Sequence, residues 1–253
     1  MRKFNLTLTA ALFCGMLCSA LFVSCNKDDK NNDNGDEVLE RVLYSELDLP
    51  DDGSNGSKYG ISDEYIATRA AELGVEANAL KAVWKVDTGG RGGFLPSGKP
   101  MILFQGHIFW QQLRTRGINP QNHAKGNEDI LYQRIDKTKY VGGEGEWDRL
   151  ERGIEINEDA ALSSASWGMS QIMGFNYVKC GCASVQEFVG KMKESEESQF
   201  ELFANFLTSE ANMLEALKKK DWKTFARLYF GPTYAQDRYD DKLSKAYSSF
   251  STQ

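Results

Sequence analysis

The sequence predicts a mainly α domain with one small β-hairpin. Three observations predict it. Helical apolar stripes framed by caps and glycine stops recur through residues 59–253. Only one stretch of that region has the pattern of a hairpin. Residues 26–58, ahead of that region, are polar and acidic, with little to bury.

The elements follow in chain order. Ser62-Asp63-Glu64 opens a helix over Tyr65 to Leu73, and Gly74 ends it. A second helix runs from about Glu76 to Val86, with Leu80, Val83 and Trp84 as its buried stripe, and Gly89-Gly90 stops it. Phe94-Leu95, the turn Pro96-Ser97-Gly98-Lys99-Pro100 and Met101 to Phe104 form the hairpin. His107 to Arg116 returns to helix. Residues 119–143 have a weak pattern, a loop with a short helix near Ile130. Glu144 to Ile156 is helical, and Asn157 caps another helix through Leu162. Ser184 and Glu187 have the spacing of a capping box. Phe200, Phe203, Phe206 and Leu207 make a helical stripe, Asp221 caps a helix that Gly231-Pro232 ends, and Tyr239 to Tyr247 is the final helix. There is no internal repeat.

The first 58 residues have a different character. Arg2 and Lys3 precede an apolar run from Leu6 to Val23 that ends in Leu21-Phe22-Val23-Ser24-Cys25. That pattern predicts a lipoprotein signal peptide over 1–24, with Cys25 acylated; an uncleaved membrane anchor is the alternative. Residues 25–58 are predicted to be an acidic, flexible tether, because Asn26 to Glu37 holds nothing apolar to offset the entropy of ordering it. Residues 26–58 carry ten Asp/Glu and four Lys/Arg, whereas 59–253 carry 26 and 24. The domain is therefore nearly neutral, and nothing in the sequence suggests the basic face that nucleic acid would require. Of the cysteines only Cys180 and Cys182 fall in the domain, one residue apart. A bond between them would be strained and no zinc spacing surrounds them, so they are expected to be packed thiols.

Asp87 is the strongest catalytic candidate from its position alone. It closes a helix, whose C-terminal partial negative charge raises a carboxyl pKa. Trp84, one turn earlier, would add desolvation in the same direction. A carboxyl kept protonated near neutral pH is what a glycosidic general acid requires. A helix-end residue bonded to the glycine turn is the alternative.

Three segments together carry a family resemblance. Val86-Asp87-Thr88-Gly89-Gly90 and Phe104-Gln105-Gly106-His107 are the first two. The third is Ser166-Trp167-Gly168-Met169-Ser170-Gln171-Ile172-Met173-Gly174. Together with Tyr229 to Tyr234 and Tyr239 to Leu243 they resemble the bacterial and phage N-acetylmuramidases over roughly residues 60–250. The resemblance implies a lysozyme-like α-rich domain with the hairpin beside a cleft. It implies cleavage of peptidoglycan glycan strands at the N-acetylmuramic acid linkage, with no cofactor and with a monomer as the acting unit. Asp87 stands where the family has its general-acid glutamate. Gln105, His107, Trp167 and Gln171 would bind substrate. Trp167 suits a sugar face and Gln171 suits hydroxyl and acetamido groups, with core packing and loop bracing as their alternatives. His107 also fits a structural hydrogen-bonding role.

Two departures stand out against the family. Asp87 keeps the carboxyl but withdraws it by about 1 Å, a misplacement that can cost about a hundredfold in rate. Gln105 keeps the shape of glutamate but cannot titrate. Glu146 is the candidate second acid, with Asp148 behind it; acids on a helix also serve as a solvated face. The rival expectation is a non-catalytic glycan-binding lipoprotein derived from the enzyme fold. The acidic stretch after Cys25 resembles the surface-export signal of Bacteroidetes lipoproteins, and a soluble spacer is the other reading. The expected location is the cell envelope, as an outer-membrane lipoprotein facing the periplasm or the surface.

Overall fold

Helix ends fall where the sequence places its caps. The computed structural model describes residues 41–49 and 61–251. Helix α1 (Asp63–Leu73) starts under Ser62, whose hydroxyl accepts from the Tyr65 amide, and Gly74 ends it in the left-handed region. Helix α2 (Ala77–Thr88) ends the same way at Gly89, with φ of 70°. Strand β1 (Ile102–Phe104) leads into α3 (Gly106–Thr115), the short α4 (Gln121–Ala124) and α5 (Gly143–Ile156). Asn157 then closes α5 and caps α6 (Glu158–Ser164) by accepting from Ala160 N at 2.9 Å. Two strands, β2 (Ala165–Trp167) and β3 (Ile172–Met173), precede five further helices. These are α7 (Val185–Met192), α8 (Glu196–Thr208), α9 (Ala211–Lys219), α10 (Trp222–Tyr229) and α11 (Tyr239–Ser251). Ser184 and Asp221 cap α7 and α10 as expected.

The sheet is larger than the predicted hairpin. The turn after Phe94 forms, with Leu95 N bonded to Lys99 O at 2.8 Å and Met101 N to Gly93 O at 2.9 Å. Its first arm is only a bridge between Phe94 and Pro100. The second arm, β1, pairs antiparallel with β2, which pairs with β3, so the order is β1-β2-β3. The register sets Ile102 against Trp167, Phe104 against Ala165, and Ser166 against Met173. All three β1 side chains are buried. A strand covered on both faces has no polar alternation to reveal its partner. The weak stretch 119–143 holds its short helix at α4 rather than near Ile130, which is buried in irregular chain.

One core runs through the domain. Trp167, Phe104, Phe109, Phe200, Phe203 and Phe225 are among its fully buried side chains. Gly174 lets β3 end against α6, because a Cβ there would lie 2.1 Å from the Leu162 carbonyl oxygen.

The tether prediction needs correction over residues 41–49. Val42, Leu43 and Tyr44 are 1–2% exposed and belong to the core. The physical reason is local: the run without apolar residues ends before Val38, and Val42-Leu43-Tyr44 has a hydrophobic side to bury. The predicted signal peptide, Cys25 and the remainder of the tether lie outside the described residues.

Candidate active site

Asp87 sits in the last turn of α2 with no exposed surface. Three groups meet its carboxyl. The Tyr239 hydroxyl, from the start of α11, donates to Oδ1 at 2.6 Å. The Tyr229 hydroxyl, from the end of α10, lies 2.8 Å from Oδ2. The Arg41 guanidinium is 3.4 Å from Oδ1 and lies 4.9 Å from the ring centres of both Tyr229 and Phe230. Burial pushes the Asp87 pKa up to about 6, against the opposing pull of Arg41, Tyr239 and Tyr229.

The proton count around Tyr229 favours a protonated Asp87. Tyr229 Oη is 2.8 Å from Asp87 Oδ2 and 2.9 Å from the Ser170 carbonyl. One hydroxyl proton cannot serve two acceptors at full strength. A proton on Oδ2 would resolve this, with Asp87 donating to Tyr229 and Tyr229 to Ser170; in the ionised form Tyr229 donates to Oδ2. The acid is thereby joined to the Ser166–Gly174 loop through one phenol.

Gln105 caps α3, and its side chain is wholly buried. Its Oε1 accepts from Val42 N at 3.0 Å, and its Nε2 donates to Val42 O and to Met173 Sδ, both at 3.4 Å. Gly106 follows because a Cβ there would lie 2.6 Å from the Ile130 carbonyl oxygen. His107 is buried, with its ring stacked toward Tyr132 at 6.2 Å.

The Ser166–Gly174 loop turns its polar groups inward. Gln171, held at φ of 45°, accepts from Ser166 Oγ at 2.8 Å and donates to Gly168 O at 2.9 Å. Trp167 is fully buried, donates to Leu162 O at 3.1 Å and packs edge-on against Trp147. Trp167 thus packs in the core and Gln171 bonds within the loop, the contacts that core packing and loop bracing would give. The loop's backbone is linked to the acid through Tyr229, whose hydroxyl meets Ser170 O and Asp87 Oδ2.

Glu146 is also enclosed. Its oxygens accept from Phe104 N at 2.8 Å, Val141 N at 2.8 Å, Gly142 N at 3.2 Å and Arg149 at 2.7 Å. These bonds fix β1 to the entry of α5. Its position is that of a brace, and the structure does not bring it into contact with Asp87. Asp148 is on the exposed face of α5.

Sequence reasoning missed several participants. Arg41 was assigned to the tether, and Tyr229 and Tyr239 were noted only as part of the resemblance. Gln199 was not singled out at all. It accepts from Met169 N at 3.0 Å and donates to Gly93 O at 3.2 Å and Met192 O at 2.9 Å. It therefore ties the glycine turn after Asp87 to the Trp167 loop. Added Cβ atoms at Gly93 and Gly168 would lie 2.0 and 2.5 Å from its Oε1. The available signal was a polar residue one turn before the buried Phe203 on the apolar face of α8. A surface pocket of about 390 Å³ lies beside Val86, lined by Lys85, Lys242, Lys245, Ser45 and Ser249 among others. It is basic and does not include the Asp87 carboxyl.

An α-rich domain with a three-stranded sheet and a buried, protonatable carboxyl at a helix end has the architecture of a lysozyme-like glycoside hydrolase. The comparisons agree. The N-acetylmuramidase family profile matches residues 76–251. The crystal structure of the Burkholderia AP3 phage endolysin is similar at 36% identity, with a TM-score of 0.66, covering 78% of this chain and 74% of that one. Comparison with curated proteins found no match. The chain belongs to the N-acetylmuramidase family, whose members are peptidoglycan hydrolases.

Proposed function

We propose that the protein cleaves the glycan strands of peptidoglycan at the N-acetylmuramic acid linkage, with Asp87 as general acid. The observation that carries this reading is the closed Asp87–Tyr229–Ser170 arrangement, whose contacts are best satisfied when Asp87 holds a proton. In the reaction the Asp87 proton passes to the glycosidic oxygen as the bond to the anomeric carbon breaks. The groups around Asp87 are a guanidinium and two phenols rather than a second acid. A water nucleophile therefore fits better than a covalent glycosyl intermediate: its oxygen would bond to the anomeric carbon and its proton would return to the Asp87 carboxylate left after transfer, which the Tyr229 and Tyr239 hydroxyls would support. Gln105 is proposed to meet the acetamido group of the substrate, to which it offers one acceptor and one donor. The domain would work as an envelope lipoprotein acylated at Cys25, a reading supported by the sequence of residues 2–25.

The test is product analysis after digestion of intact sacculi. Reducing ends at N-acetylmuramic acid are expected. Asp87→Asn should lower their release at least a hundredfold, within the range of general acid catalysis. Release that survives this substitution removes Asp87 from the mechanism. A second reading, glycan binding without cleavage, is favoured by one observation: Gln105 supplies no charge. It predicts retention on sacculi with no new reducing ends.

A further inference from the structure

We propose that the Arg41–Tyr44 segment is an intramolecular occupant of the glycan site, seated on Asp87 and Gln105 and displaced when a glycan strand binds. The proposal rests on the reading of Asp87 and Gln105 as that site.

Four observations place the segment there. Its contacts fall on the two proposed site residues themselves: Arg41 on the Asp87 carboxyl at 3.4 Å, and Val42 on both polar atoms of the Gln105 amide at 3.0 and 3.4 Å. Asp87 and Gln105 both have no exposed surface, so a polysaccharide cannot touch either one while the segment is in place. The segment also precedes residue 76, where the family match begins, although it packs in the same compact unit. Finally, besides the buried apolar packing of Val42, Leu43 and Tyr44, the segment is held by separate polar contacts. Ser45 Oγ donates to Val86 O at 2.6 Å, Gly143 N donates to the Tyr44 hydroxyl at 3.2 Å, and Arg91 lies 5.2 Å from the Tyr44 ring centre.

The chemistry of the seat explains why a peptide and a sugar could compete for it. Val42 presents an N–H and a C=O to Gln105. The acetamido group of an N-acetyl sugar presents the same pair. Arg41 adds an effect beyond coverage, because its positive charge favours the ionised form of the carboxyl and so opposes the state in which Asp87 can donate a proton. The segment therefore covers the site and lowers the fraction of Asp87 that holds a proton. Its departure would correct both at once.

The experiment compares the full chain with the double variant Arg41→Ala/Val42→Pro, which removes the guanidinium and the N–H given to Gln105. The probe is peptide-free glycan strands prepared from sacculi, followed by binding titration and by release of reducing ends. The double variant is expected to bind the strands at least tenfold more tightly than wild type. Equal binding overturns the occupant and leaves the function standing. Tighter binding without bond cleavage upholds the occupant and sinks hydrolysis. No binding by either protein overturns both. A ligand-free measurement covers a variant that fails to fold. In native-state hydrogen exchange of wild type, the Val42 amide should open at least tenfold more often than the Gln105 amide, which is bonded to Ser164 O within the sheet region. Opening of Val42 only through global unfolding makes the segment a permanent part of the fold and overturns the proposal.

Discussion

The hydroxyl of Tyr239 lies 2.6 Å from Oδ1 of Asp87, joining residues 152 positions apart in the chain. This phenol has one role that the geometry makes unambiguous: it donates to the carboxylate and favours the ionised form. Tyr239→Phe should therefore raise the Asp87 pKa above its value of about 6. A hydrogen bond to a charged group contributes about 1.5–3 kcal/mol, which corresponds to a rise of roughly one to two units. Tyr229→Phe should move it less, because that hydroxyl also has the Ser170 carbonyl as acceptor. Carboxyl-selective NMR titration of the three proteins checks the order. A fall in the Tyr239 variant contradicts its assignment as a donor to Asp87.

The raised pKa also has a signature in stability. The folded state holds the Asp87 proton to about pH 6, whereas the unfolded chain releases it near 3.8. Between those values the native state binds more protons, so stability falls as pH rises. The contribution is complete below about pH 4 and lost as pH passes 6. A shift of about two units amounts to about 3 kcal/mol. The exposed acids Asp136, Glu187 and Asp221 have lowered pKa values and push the other way, so the quantity to measure is a difference. Urea unfolding of wild type and Asp87→Asn should show the stability of wild type relative to the variant declining from pH 4 to pH 7. A flat difference would mean that Asp87 is not buried in this way.

Most helices were legible because their signals are local. Ser62, Asn157, Ser184 and Asp221 each cap a helix through a side chain three residues from its partner amide. Asp87 was legible for the same reason, since it ends a helix before a glycine stop. Its partners were not, because Tyr229, Tyr239 and Arg41 reach it only through tertiary packing and each belongs to a different element. Gln105 and Trp167 were found by motif, yet a motif does not say which way a side chain faces. Trp167 faces the core because β2 is the central strand. Arg41 to Tyr44 was hidden by the acidic composition of the residues around it. Three buried apolar side chains are too few to alter a window average.

Glu146 provides a test of bracing against chemistry. Three backbone amides and Arg149 converge on a carboxylate with no exposed surface. Removing it leaves Arg149 buried without its charge partner, and breaking such a pair costs about 3–5 kcal/mol. Glu146→Ala should lower stability by that order in chemical denaturation. The activity of the fraction that stays folded should change less than threefold. A hundredfold loss in a fully folded variant would instead return Glu146 to the mechanism.

Gly168 is constrained twice over. Its φ is 65°, and a Cβ would lie 2.5 Å from Gln199 Oε1, the oxygen that accepts from Met169 N. Gly168→Ala should destabilise by several kcal/mol, on the order of 2–4 from backbone strain and a broken buried hydrogen bond together. Adding Gln199→Ala removes the clash but leaves the strain and the unpaired Met169 amide. The double variant should therefore be less stable than wild type, but its loss should be smaller than the sum of the two single losses. Thermal unfolding of the four proteins gives this coupling directly, and strict additivity would show that Gly168 and Gln199 do not share the contact.

Asp87→Glu separates an adapted enzyme from a disabled one. The resemblance to the N-acetylmuramidases implies glutamate at this position, so a simple repair would be expected to restore or raise activity. The pocket argues otherwise. Tyr239 and Tyr229 lie 2.6 and 2.8 Å from the two oxygens of the shorter side chain. An added methylene pushes the carboxyl forward by about 1 Å in a site with no free surface, and overpacking of that kind costs about 1–3 kcal/mol. It must also break at least one phenol contact, and the misplacement lowers the rate by up to about a hundredfold. Asp87→Glu should then be less stable than wild type and release reducing ends from sacculi at least tenfold more slowly. A gain in release would show that the aspartate is a loss of function and that glycan binding is the ancestral remainder of the site.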